Sequence, residues 1–272
     1  MARLSRSFTA KLGLGIMLAF VVLAMFAGLI SGYAPNDQEL VERLKPPAAA
    51  HILGTDQLGR DVFTRVIYGG RYSLTVGIVT VAGALLIGSL LGLLAGFAGG
   101  RTDAAIMRGM DILLAFPGIL LAIAIVSTRG PGLGNTMLAV AIVNVPIYAR
   151  LVRSTALSVR EREYVTAARA VGVSNLGLMF RHVLPNCYSP LVVQATLGVG
   201  TAIIEAAGLG FLGLGAQPPT PEWGAMLAGG YQFLINAPWA IAAPGGAIAL
   251  TVLGFNLFGD GLRDALDPQM RI

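Results

Sequence analysis

The chain has 272 residues, of which 55% are hydrophobic and only 12% charged, with a mean hydropathy of +0.73 and a formal net charge of +5. A soluble domain carries about a quarter charged residues, so an ordinary soluble enzyme is excluded. A bilayer is the setting, where backbone groups must be satisfied within helices or a closed barrel.

The apolar runs are unbroken rather than alternating, which selects helices over a barrel. One cysteine, Cys187, excludes a disulfide framework within the chain. Two histidines, His51 and His182, make a His/Cys metal site improbable. The arginines sit at the ends of apolar segments, so the positive balance does not mark a nucleic-acid binder.

Residues 1–11 carry Arg3, Arg6 and Lys11, and an uncharged run from Leu12 to about Gly32 follows. It is long enough to span, at about 20 residues, and no A-x-A-like site follows it closely. We read an uncleaved first span with its N-terminus in the cytoplasm. Residues 33–72 are polar; Pro46-Pro47 marks irregular chain, and Leu58, Val62, Arg65, Val66 and Gly69 suggest a short surface helix. The second run, Ser73 to Gly100, is uncharged, and its Ala84, Gly88, Gly92 and Gly96 recur every four residues. Such a small-xxx-small stripe lets another helix approach closely. Arg101, Asp103, Arg108 and Asp111 form a short polar turn before a third span, about Ile112 to Thr128. The fourth span covers Leu133 to Ala149, with Pro146 placed to kink its end. The fifth runs about Pro190 to Leu214, and the sixth about Ile241 to Phe258, after a polar loop (Gln217 to Glu222) and a semi-apolar stretch.

Six spans place both termini and residues 160–185 on one side. Thirteen of the nineteen Lys and Arg residues then fall on the inner side, as the positive-inside rule requires. Within the 160–185 loop, Tyr164, Ala167, Ala168 and Val171 fall at i, i+3, i+4 and i+7, one face of a helix. Arg162, Thr166 and Arg169 lie on the other. Gly172 breaks the pattern and Ser174 suits the N-cap of a second helix. There Leu176, Met179, Phe180 and Val183 repeat the spacing until Pro185 stops the run. The pair either docks on a partner or lies flat in the headgroup region. Small Ala167 and Ala168 at the centre of the first face favour close helix-to-groove contact.

Gly208-x-Gly210-x-x-Gly213 matches the dinucleotide fingerprint by letter but lies inside a span, without the preceding strand that fingerprint needs. Close packing or a hinge is the plainer reading of these glycines. No G-x-x-x-x-G-K-[ST] occurs, so the chain has no P-loop of its own for ATP. Glu205 is the one acidic residue placed within a span. It serves either a translocation path or a structural hydrogen bond, since an intramembrane carboxylate needs a cavity or a partner.

Ala167-Ala-x-x-x-Gly172, nine residues, then His182-x-Leu184-Pro185 resembles the "EAA" motif of ABC importer permeases, with Thr166 in place of its glutamate and His182 in place of its isoleucine. LGTDQLGRDVFTRVIYGGRYSL (53–74), FLGLGAQPPTPEWGAML (211–227) and NLFGDGLRDALDP (256–268) are similar to the second permease subunit of dipeptide/oligopeptide/nickel importers. The resemblance implies an all-α, polytopic membrane protein with six transmembrane helices, in the type I ABC importer permease (MetI-like) fold. Residues 1–72 would hold the N-terminal span and a periplasmic segment, and 73–272 the permease core. It also implies a bacterial inner-membrane location with both termini cytoplasmic. The partners would be a second homologous permease, two ABC ATPase subunits and an extracytoplasmic solute-binding protein, with the lipid bilayer around them and no nucleic acid. ATP and Mg would belong to the ATPase subunits; this chain would bind no cofactor and catalyse nothing. Tyr164, Ala167, Ala168, Val171, Gly172, Leu184 and Pro185 would form the docking surface, and Glu205, Gly208 and Gly210 a translocation path or gate. The implied cargo is di- or oligopeptide, with glutathione or nickel complexes as alternatives; a self-contained secondary transporter or a membrane scaffold is the reading from another class.

Overall fold

In the protein, described over residues 7–266 by a computed structural model, helices α1 (Phe8–Met25) and α2 (Ala27–Ile30) come first and the long α3 (Val62–Ala98) follows. Arg3, Arg6 and Arg271 of the charge count lie outside the described residues. Then come α4 (Gly100–Leu114), α5 (Gly118–Arg129), α6 (Leu133–Arg160), α7 (Glu163–Ala170) and the single turn α8 (Asn175–Gly177). Helices α9 (Tyr188–Phe211), α10 (Trp223–Tyr231) and α11 (Trp239–Leu266) complete the chain. Five helical rods among the described residues are long and apolar enough to cross a membrane, and six if the bent pair α4–α5 counts as one span.

Four expectations are corrected. The short surface helix is the first part of α3, and its Val62, Arg65 and Val66 are buried. Asp61 caps α3 by accepting from the Thr64 N–H at 2.7 Å, so helix runs from there unbroken into the membrane segment. At 1.5 Å per residue, its 37 residues far exceed a hydrocarbon core of about 30 Å, and the excess carries the cap at one end of the bundle. The polar turn at 101–111 is the helix α4, and the third span is α4 and α5 meeting at 90° where Pro117 interrupts them. Helix α6 does not end near Ala149 but runs through Pro146 to Arg160. Finally, Pro185 does not stop the second loop helix: a π-helical turn (Leu178–Val183) and a 3-10 turn (Leu184–Cys187) carry α8 straight into α9.

The core is the seam between α3 and α6. A Cβ on Gly88 would lie 2.6 Å from the Val145 carbonyl oxygen, and one on Gly92 only 2.2 Å from that of Ala149. A Cβ on Gly96 would meet the Ala156 methyl at 2.8 Å. The small-residue stripe is thus a backbone-to-backbone contact, with Ala84, Ala149, Val152 and Ala156 fully buried along it. Lipid tails are as apolar as leucine, so close van der Waals packing of this kind holds membrane helices together. Gly13 of α1 against Gly254 and Phe258 of α11, and Gly77 of α3 against Ile203 of α9, repeat the device.

One end of the bundle gathers the start of α1, the ends of α3, α6 and α11, and α7; Ala10 meets Gly261 there. The opposite end is a cap built from residues 33–61 and 212–238. Trp223, fully buried, donates to the Val66 carbonyl at 2.9 Å, and Trp239 donates to that of Thr55 at 3.0 Å. Arg71 donates to the last carbonyls of α1, at Ala24 (2.6 Å) and Met25 (3.0 Å), groups no helical partner reaches. Glu222, expected in a polar loop, is buried instead. It accepts from the Gly224 and Ala225 N–H groups at 2.9 Å, capping α10, and from the Ser73 hydroxyl of α3 at 3.2 Å. Burial pushes its carboxyl above the ordinary glutamate range, and those three donors pull back against it.

Two thermal-unfolding predictions in detergent follow from this packing. Gly92→Ala drives a methyl into the α6 backbone and should cost about 1–3 kcal/mol, whereas Gly83→Ala in the same helix meets only the Ala141 methyl at 3.7 Å and should be neutral or slightly stabilising. Equal melting of the two variants would refute the close seam. Glu222→Ala should cost about 1–2 kcal/mol as a lost cap, and Glu222→Gln, which keeps an acceptor, should cost less.

Candidate functional site

The loop between α6 and α9 is fastened from behind by three contacts. Arg160, the last residue of α6, donates through Nη1 to the carbonyls of Gly96 (2.9 Å) and Phe97 (3.3 Å). These are terminal acceptors of α3, where a cation also answers the helix dipole. Val165 is fully buried against the bundle, and the Arg169 guanidinium sits 6.0 Å from the Phe97 ring centroid. Helix α7 is thereby pinned across the end of the α3–α6 seam.

Its end is a Schellman motif. The Val173 N–H donates to the Ala168 carbonyl and the Gly172 N–H to that of Arg169, both at 3.1 Å, with Gly172 at φ +87°. A side chain at Gly172 would meet nothing within 4 Å, so the glycine is required by its backbone conformation and not by crowding. Ser174 then caps α8 by accepting from the Gly177 N–H at 3.2 Å, as its position in the sequence suggested. The two arms are tied by Asn186, whose Nδ2 donates to the Tyr164 hydroxyl (3.0 Å) and to the His182 carbonyl (2.7 Å).

The expected docking face divides. Tyr164, Ala167, Val171 and Gly172 are exposed, with Val171 at 81%, while Ala168 is half-buried against the bundle. In the second arm Met179 and Val183 are buried, but Leu176 and Phe180 are exposed. Leu184 packs inward and Pro185 is exposed at the turn into α9. An apolar surface of Tyr164, Ala167, Val171 and Leu176 is thus presented at one end of the molecule, backed by Val165 and Leu178. The sequence face missed Val165 and the Arg160 anchor. The run of Arg160 after a long apolar helix was the available signal for the second.

In the bundle, Glu205 accepts from Asn144 Nδ2 at 2.8 Å, and that amide also donates to the Val140 carbonyl at 2.9 Å. A Cβ on Gly208 would meet only Ile119, at 3.7 Å, leaving this side of α9 open toward α5. Gly210 is different: its Cβ would lie 2.8 Å from the Glu222 carboxylate, so it is a close-packing contact beneath α10. Gly213, at φ +79°, ends α9 in a second Schellman motif, with Leu214 N–H donating to Leu209 and Gly213 N–H to Gly210. The nucleotide-like glycine pattern is therefore a helix terminus, and no strand precedes it among the described residues. No group of His, Cys, Asp or Glu able to hold a metal occurs among them.

Comparison with known proteins accounts for this architecture. Residues 88–272 match the family described as the inner membrane component of binding-protein-dependent transport systems, and residues 1–47 match the N-terminal transmembrane domain of oligopeptide transport permease C. The chain is 54% identical over 269 residues to the dipeptide transport system permease protein DppC of Alkalihalophilus pseudofirmus, covering 99% of this chain and 88% of that one. It is 52% identical over 265 residues to a di/tripeptide transport system permease protein of Pseudomonas aeruginosa (95% and 88%). To a glutathione transport system permease protein of Pectobacterium atrosepticum it is 47% identical over 256 residues (94% and 85%). Its fold is similar to a chain of the MetNI methionine ABC transporter in inward-facing form, with a TM-score of 0.62 at 19% identity, covering 74% of this chain and 96% of that one. The all-α, MetI-like fold is thereby established, and the chain belongs to the family of binding-protein-dependent transport system inner membrane components, as a multi-pass permease subunit.

Proposed function

We propose that this permease imports di- and oligopeptides as one half of a membrane pore driven by ATP. The relatives named for dipeptide and di/tripeptide transport support the cargo; the relative named for glutathione, itself a tripeptide, supports a second reading within the same chemistry. Membership in a binding-protein-dependent family argues against a self-contained secondary transporter and against a scaffold. The other half of the pore would be a homologous permease, and a solute-binding protein would deliver cargo on the side of the cap. Two ATPase subunits would hold ATP and Mg. The excess of Lys and Arg around 160–185 supports a cytoplasmic position for that loop and for both termini.

The single observation that carries the coupling role is a short helix pinned from behind by Arg160 and Val165 while its outer face stays bare. Such a face suits a groove on a partner, and force on α7 passes directly to the α3–α6 seam. Tyr164, Ala167, Ala168, Val171 and Gly172 would form the contact, with Leu184 and Pro185 at the root of the second arm. Glu205 and Gly208 would line the path, with Gly210 acting at its gate. As units, residues 1–72 would hold the N-terminal span and a periplasmic segment and residues 73–272 the permease core, with α3 running across the boundary.

Val171→Glu adds a charge to a fully outward side chain, so insertion and melting should not change. Co-purification of the ATPase subunits should be lost and ATP-driven peptide uptake should fall at least about ten-fold, the worth of roughly 1.4 kcal/mol. Normal uptake and normal co-purification would sink the docking assignment. Glu205→Gln keeps an acceptor for Asn144 and removes only charge. Uptake reduced by about ten-fold with intact assembly would place Glu205 on the path, and unchanged uptake would make it a packing hydrogen bond.

A further inference from the structure

The cap holds a half-open cavity of about 210 Å³ whose walls include Gln57, Arg60, Arg65, Gln217, Thr220 and Ala228. Two guanidinium groups meet one carboxylate here. Asp56 accepts from the Leu58 and Arg60 N–H groups through Oδ1 (2.8 and 3.0 Å) and from Arg60 Nε through Oδ2 (2.7 Å), with Arg65 Nε at 3.6 Å. Three of its four acceptor positions are in use, and Arg65 approaches only to ion-pair distance. Arg65 spends its Nη groups on neutral oxygens, the carbonyls of Pro35 and Pro219 and the amide of Asn36. Arg60 is different. Its side chain is only 8% exposed and lines the cavity, and beyond the Nε bond its two Nη groups have no hydrogen-bond partner among the described residues.

The other buried carboxylates are engaged elsewhere. Asp61 is held by His51 Nδ1 at 2.9 Å and by the Thr64 N–H, and Glu222 by Ser73, Gly224 and Ala225. Asp56 therefore pairs Arg60 through Nε alone, and the Nη edge is left open to a further anion. That edge of a guanidinium offers two parallel N–H donors that match a carboxylate.

We propose that this cavity is a carboxylate-binding site, completed when a terminal carboxylate of a short peptide seats on Arg60. The choice of a peptide rests on the function proposed above; the choice of a carboxylate does not. The cavity's volume of about 210 Å³ favours a small ligand.

The test uses the transporter assembled with its partner subunits in nanodiscs, without solute-binding protein. Its melting temperature is followed against acetate, Ala-Ala, Ala-Ala amide and chloride at matched ionic strength. Acetate and Ala-Ala should raise it saturably, and the amide and chloride should not. Arg60→Gln should weaken the response at least about ten-fold, and Arg60→Lys should retain part of it. Ala228→Leu fills the cavity without touching the Asp56 network and decides the matter if Arg60→Gln fails to fold. The proposal is overturned by an equal response to chloride or the amide, by a response that survives both Arg60→Gln and Ala228→Leu, or by one that appears only when the binding protein is added. ATP-driven uptake is scored separately, with the same subunits and the binding protein reconstituted in sealed proteoliposomes. Uptake without carboxylate binding sinks this inference alone, whereas absent uptake sinks the transporter reading.

Discussion

The contact on which the molecule depends is the approach of two backbones, α3 and α6, with no side chain between them. In water a core is gathered by the hydrophobic effect. In a bilayer that force is missing between helices, and what remains is dispersion at short range. Gly88, Gly92 and Gly96 make such a range available, and Val145, Ala149 and Ala156 fill it. Each glycine weakens its own helix by roughly 1 kcal/mol against alanine. The seam offsets that loss by packing, and it fixes where the loop and the cap can attach.

Much of this was legible in the sequence, because period and composition report directly on lipid exposure and close approach. The six apolar runs, the four-residue spacing of small residues and the Ser174 cap all rest on such local rules. The misplacements share a different cause. Leu58 to Gly69 read as a surface helix, whereas Asp56 and the carbonyls of Pro35 and Pro219 bury Arg65 within it. Pro146 read as a kink and Pro185 as a stop because proline removes a donor. In a bundle, neighbouring helices and locally altered turns absorb that loss, and the π-helical turn before Pro185 is one such adjustment.

The candidate site was legible in outline and blurred in detail. The motif spacing located α7 and Gly172, and the left-handed φ of Gly172 explains why a glycine stands there. The helical wheel could not say which residues face the bundle, because Val165, off the predicted face, is the one that is buried. Glu222 escaped notice for a related reason. Its neighbours Pro221 and Trp223 suggested a loop, and its partner Ser73 is 149 residues away in the chain. Long-range partners of this kind leave no local pattern.

The continuity of α8 into α9 makes the loop's second arm and the fifth span one rod, Asn175–Phe211. Its 37 residues reach about 55 Å at 1.5 Å each. Leu176 stands at its foot, Glu205 along its shaft and Gly210 near its head, against Glu222. The crossing with α3 at Gly77 and Ile203 lies near the head of this rod. A rigid tilt about that crossing would swing the foot widely and the head narrowly, in the opposite sense, so the rod has the geometry of a reducing lever, with its long arm toward the loop and its short arm beside Glu222.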